Sequence, residues 1–127
     1  ILVIYYFIIF DTKNWDTDTA YSTSTGKFTV PSGEAGKYFI FAAAHTSQQA
    51  NRMYFTSYAI HKNGSALRIE STNFGSGLID GRTMKLTSIE DLSVGDYIEI
   101  YITMNSDPSN TGYIYANHTY FTMFKLL

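Results

Sequence analysis

The stretch Tyr97-Ile98-Glu99-Ile100-Tyr101-Ile102-Thr103-Met104 decides the fold class. Ile98, Ile100, Ile102 and Met104 alternate strictly with Tyr97, Glu99, Tyr101 and Thr103, and a period of two sends the first set to one face of a β-strand and the second to the other. One face is core and the other is wettable. The turn pair Gly95-Asp96 immediately before it starts the strand cleanly.

Working outward, strand-like runs alternate with clusters of Gly, Asn, Asp, Ser and Thr, and no apolar pattern of helical period persists. The runs are Ile1–Phe10, Lys27–Val30 ending at Pro31, Lys37–His45, Met53–Lys62 ending at the turn Asn63-Gly64, Ala66–Ser71, Met84–Ile89, Tyr97–Met104, and Tyr113–Leu127 broken near Asn117. About nine or ten strands in one chain require a two-layer sandwich or a barrel. Between the first two runs, Asp11–Thr25 reads as Asx-type turns. The 127 residues make one domain, 1–127, with no internal repeat or linker.

Composition agrees and closes off several chemistries. Eleven Tyr and nine Phe suit pleated sheets, and the absence of Cys excludes disulfides, zinc-thiolate sites and a thiol nucleophile. The nine basic and eleven acidic residues give a net charge of -2 with no basic run, so nucleic-acid binding lacks its electrostatic term. The uncharged Ile1–Phe10 is far short of the ~20 residues that span a bilayer and reads as a buried strand.

Two runs break the one-sided pattern. In Lys37–His45, Tyr38, Ile40 and Ala42 take one face and Phe39, Phe41 and Ala43 the other, so both are apolar. Ile1–Phe10 is likewise apolar throughout. A sheet strand apolar on both faces needs a cover on the side away from the core, and the simplest cover is another copy of the chain.

Four segments then carry a resemblance: Tyr21-Ser22-Thr23-Ser24-Thr25-Gly26-Lys27-Phe28-Thr29-Val30-Pro31, Ala35-Gly36-Lys37-Tyr38-Phe39-Ile40, Leu92-Ser93-Val94-Gly95-Asp96-Tyr97-Ile98 and Phe121-Thr122-Met123-Phe124-Lys125-Leu126-Leu127. In this order and spacing the chain from Phe10 onward resembles the globular head of complement C1q and its tumour-necrosis-factor-like relatives. The resemblance implies an all-β, ten-strand, two-sheet jelly roll that assembles as a trimer. The absence of Cys, Met123 where the family has a small residue, and the unmatched Ile1–Ile9 depart from vertebrate members. The wording of Phe10–Tyr21 and Gly33–Tyr38 is most similar to copies on virions and phage fibres.

Candidate sites follow from these readings. Tyr5, Tyr38, Ile40, Tyr113, Tyr115 and Tyr120 are expected at the trimer interface, in preference to a carbohydrate-stacking platform. Gln48, Gln49, Asn51, Arg52, Asn73 and Asn110 lie in polar loops and are the expected ligand-binding residues. No metal site and no cofactor are expected. His45, His61 and His118 sit on separate runs with nothing to bring them together, Asp11, Asp16 and Asp18 read as turn formers rather than calcium ligands, and the acceptor patterns Asn63-Gly64-Ser65 and Asn117-His118-Thr119 read as turns. No catalytic signature occurs: Gly75-Ser76-Gly77 with Gly81 misses a dinucleotide fingerprint by one position.

The expectation is therefore a non-enzymatic surface module at the virion surface or in an extracellular setting. It would be a homotrimeric fibre knob or capsid decoration that binds other virion or fibre proteins and attaches by its loops to a host receptor or glycan. It would not bind nucleic acid or insert in a membrane. A ligand-free trimerisation cap and a secreted lectin-like or cytokine-like head are the alternatives.

Overall fold

The computed structural model of the chain describes residues 2–48, 53–75, 79, 81–106 and 112–127, with 2–6 and 106 described through the backbone alone. Among the described residues there are nine strands and no helix: β1 (Leu2–Phe7), β2 (Tyr21–Ser22), β3 (Lys27–Thr29), β4 (Gly36–Gln48), β5 (Met53–Lys62), β6 (Ser65–Asn73), β7 (Gly81–Leu92), β8 (Tyr97–Ser106) and β9 (Gly112–Lys125). All pairings are antiparallel. The larger sheet runs β2-β3-β8-β5-β6, with β1 alongside β8 where β3 stops, and the smaller runs β7-β4-β9.

The decisive strand is central. Ile98, Ile100, Ile102 and Met104 of β8 are all buried, and they pack with Tyr58 and Ile60 of β5 against Tyr38, Ile40, Ala42 and Ala44 of β4 and Met84 of β7. The two sheets thus share one core, and the molecule is an all-β sandwich. The opposite face of β8 is drier than its polarity suggests. Glu99 is buried, with its carboxylate 3.7 Å from Lys27 Nζ, and Tyr101 stacks on His61 at 4.1 Å.

Turn chemistry sets the registers. Asn63 and Gly64 take positive φ, 51° and 83°, and join Lys62 to Ser65 as a two-residue hairpin. Asp16 accepts the amides of Ala20 at 2.9 Å and Tyr21 at 3.2 Å and pairs with Lys13 at 3.0 Å. Burial pushes its pKa up, yet the Lys13 and backbone hydrogen bonds outweigh that and hold it below the usual carboxylate range. The Asp11–Thr25 stretch is therefore turn-rich as read, except that Tyr21 and Ser22 form the short β2 against β3.

At Gly36 the φ of 153° and the space both demand glycine, since a Cβ there would stand 2.0 Å from the carbonyl oxygen of Leu127. The chain after β9 returns there, with Leu126 N donating to Lys37 O at 2.6 Å and Lys37 N donating to Leu127 O at 3.0 Å.

One sequence expectation is corrected here. Tyr38 and Ile40 point between the sheets, at 3% and 0% exposure, and Tyr38 Oη donates to Glu34 O at 2.6 Å. They belong to the chain's own core and offer no surface to a partner. The strand does have two apolar faces, and the outward one is the other.

Candidate functional site: the outer face of the three-strand sheet

Because partners directly opposite in an antiparallel pair share a face, the registers of β4 define the outer surface of the smaller sheet. Phe39, Phe41, Ala43, His45 and Ser47 of β4 point outward. Beside them lie Phe124, Thr122, Tyr120, Tyr115 and Tyr113 of β9 on one flank, and Ile89, Thr87, Lys85, Thr83 and Gly81 of β7 on the other.

Three ring pairs cross from β4 to β9: Phe39 with Phe124 at 5.1 Å, Phe41 with Tyr120 at 5.4 Å, and His45 with Tyr115 at 5.4 Å. Such cross-strand pairs each add about 0.5–1.5 kcal/mol beyond the area they bury. They leave the surface apolar: Ile89, Phe124, Tyr115, Tyr120 and Tyr113 are each exposed by 43% or more. The aromatic residues run along β4 and β9, and β7 adds Ile89 beside the polar Thr87, Lys85 and Thr83.

At one end of this face the ladder between β4 and β9 shifts. Ala43 pairs with Tyr120 but His45 pairs with Tyr115, so residues 116–119 bulge out opposite Ala44. The bulge is tied down by the amide of His45, which donates to Thr119 Oγ1 at 3.3 Å. It brings the His118 ring to 5.7 Å from that of His45. His45, Thr83, Tyr115 and His118 line a shallow cavity of about 350 Å³, and His45 Nδ1 is hydrogen-bonded to Thr83 Oγ1 at 2.7 Å.

Of the expected interface residues, Tyr113, Tyr115 and Tyr120 lie on this face, whereas Tyr38 and Ile40 lie behind it. Tyr5 is in β1 opposite Thr103, on the other sheet. Phe39, Phe41, Phe124 and Ile89 were not singled out. The signal for them is parity: the Phe39-Phe41-Ala43 face of the run continues into His45 and Ser47, while the Tyr38-Ile40-Ala42 face continues through Ala44 and ends buried at Thr46 and Gln48.

Of the expected loop residues, Gln49, Asn51, Arg52 and Asn110 lie outside the described residues. Gln48 is no loop residue: it ends β4 with its side chain buried at 3% exposure. Asn73 is exposed at the end of β6, where its Oδ1 accepts the amide of Gly75 at 2.9 Å. The pairings Gln48 with Gly112, Ser47 with Gly81, Met53 with Ser106 and Phe55 with Asn73 put the ends of β4, β6 and β8 and the starts of β5, β7 and β9 together. The connections between these strands therefore all leave from one end of the sandwich.

Among the described residues no group of three or more His, Cys, Asp or Glu side chains is placed to hold a metal ion. No protein-family model and no curated protein matches the chain.

Proposed function

We propose that the chain is a non-enzymatic surface module of the complement C1q and tumour-necrosis-factor-like kind, a jelly-roll head that assembles as a homotrimer and serves as the knob of a fibre or as a capsid decoration. The observation that carries the reading is the aromatic outer face that β4 and β9 give the smaller sheet. Closed self-association is the common way to bury an apolar sheet face without leaving it open to further growth.

Two further features support it. The chain passes between the sheets at β3 to β4, β4 to β5, β6 to β7, β7 to β8 and β8 to β9, in the manner of a jelly roll. The number three comes from the family resemblance, and the face that would be buried comes from the geometry. The connections gathered at one end of the sandwich would stand together in a trimer, where three weak sites act as one strong one on a host receptor or glycan.

The test is the solution mass of the purified protein by light scattering, with Phe41→Glu as the disrupting variant. Three times 14.3 kDa for the parent and 14.3 kDa for the variant is the expected pair of results. A folded monomer for the parent overturns the assembly. A trimer that binds neither host cells nor their surface glycans leaves the assembly standing and removes attachment.

A further inference from the structure

His45 and His118 were not expected to meet, and the bulge of β9 makes them neighbours. We infer that the two imidazoles form a binding site for one divalent transition-metal ion, of the zinc or copper class, on the outer face of the smaller sheet. The site is built within a single chain and does not rest on the assembly proposed above.

Three observations converge. The first is spacing. With metal–nitrogen bonds of about 2.0–2.1 Å, two imidazoles that share one ion at near-tetrahedral angles hold their ring centroids roughly 5–5.5 Å apart. The observed separation is 5.7 Å. The rings meet edge to face, and a shared ion requires the exposed His118 ring to turn one nitrogen towards His45.

The second is the hydrogen bond behind His45. Thr83 Oγ1 lies 2.7 Å from Nδ1 and can accept its proton, which leaves Nε2 with the free lone pair that a metal needs. A ligating histidine usually donates its far N–H to a carboxylate, a carbonyl or a water, and here the Thr83 hydroxyl takes that place.

The third is Gly81. Its φ is not in the left-handed region, so the backbone does not require glycine there. A Cβ at that position would stand 3.2 Å from both His45 Nε2 and the Thr46 carbonyl oxygen, so the missing side chain leaves room beside that nitrogen as well as beside the β4 backbone.

The cavity of about 350 Å³ has room for an ion with water in its remaining coordination positions. In a chain without Cys, imidazole is the ligand best suited to borderline metals.

The test is titration of the metal-free full chain with zinc alone, followed by calorimetry and by the imidazole proton resonances. One zinc per chain is expected, with the resonances of His45 and His118 shifting together and those of His61 unmoved. His45→Ala and His118→Ala should each weaken binding by at least ~10-fold, and Thr83→Val by ~10-fold through the lost outer partner. His61→Ala should bind as the parent does. Thermal melts of every variant check folding, and His118 is exposed in the bulge, so its replacement leaves the core intact.

Absence of zinc binding overturns the site, as does binding that survives in either His45→Ala or His118→Ala. The monomer-directed Phe41→Glu should also bind one zinc per chain. Loss of zinc in that variant, with the fold retained, overturns a site contained in one chain while leaving the assembly reading untouched.

Discussion

Asp96 shows how far a single side chain can organise this fold. Its Oδ2 accepts the amide of Ser93 at 2.8 Å and pairs with Lys62 at 3.0 Å, while Oδ1 accepts Asn63 Nδ2 at 2.8 Å. Asn63 in turn accepts the amide of Tyr97 at 2.9 Å, so two turns distant in sequence are tied at the start of β8. The Asn63 and Ser93 hydrogen bonds, with Lys62 beside them, lower the Asp96 carboxyl to about 2 from an ordinary 3.8. A depressed folded pKa means that the unfolded chain binds the proton first on acidification. The stabilisation is thus complete above about pH 5 and is lost as pH falls towards 2. Asp96→Ala should cost about 1–2 kcal/mol at pH 7, and urea melts of the variant should show a flatter stability profile over that window than the parent. Both turns could be read from their Gly, Asn and Asp residues. Their mutual bonding could not, because it depends on β5 and β8 being neighbours.

At the scale of the element, β8 and β4 mark what the sequence can and cannot say about a strand. In β8 apolar and polar residues alternate, and parity alone assigns the inner face. Ile100→Ala removes a buried side chain from the middle of that face and should destabilise by about 2–5 kcal/mol in chemical denaturation. In β4 both parities are apolar, so alternation does not choose between them. The packing requirement does, because Ala42 and Ala44 let the sheets approach closely while Phe39 and Phe41 fill no space between them. That is why Tyr113, Tyr115 and Tyr120 were legible as surface aromatics and Tyr38 and Ile40 were misplaced. The break near Asn117 was visible as a lapse in the strand pattern. Its consequence, the approach of His118 to His45, needed the register with β4. The start of β4 is equally specific: Gly36→Ala would drive a Cβ into the Leu127 carbonyl and force a positive φ on alanine. The expected cost is about 2–3 kcal/mol, with the Lys37 and Leu126 amides losing protection from hydrogen exchange as their bonds open.

For the whole molecule, the unequal sheets make the argument. The larger sheet screens its outer face in part with long side chains: Lys27 lies 4.2 Å over the ring of Tyr97 and near Glu99, and His61 lies on Tyr101. On the smaller sheet the charges of the outer face lie along β7 and at one end, Lys85 opposite Ala43 and Lys37 paired across strands with Asp91, while the β4–β9 flank carries Phe39, Phe41, Tyr120 and Phe124. The exposed aromatic side chains of the smaller sheet are thus gathered on the β4–β9 flank of its outer face. If that flank is buried between copies, assembly and folding are linked, since subunit association stabilises only the folded state. The melting temperature of the parent should then rise with protein concentration, while that of Phe41→Glu should not. Phe41→Leu, which keeps an apolar side chain, should retain the dependence. A parent whose melting temperature stays constant over a hundredfold range of concentration, in a regime where scattering shows dissociation, would mean that the aromatic face contributes nothing to association, and the surface buried between copies would have to be sought elsewhere on the sandwich.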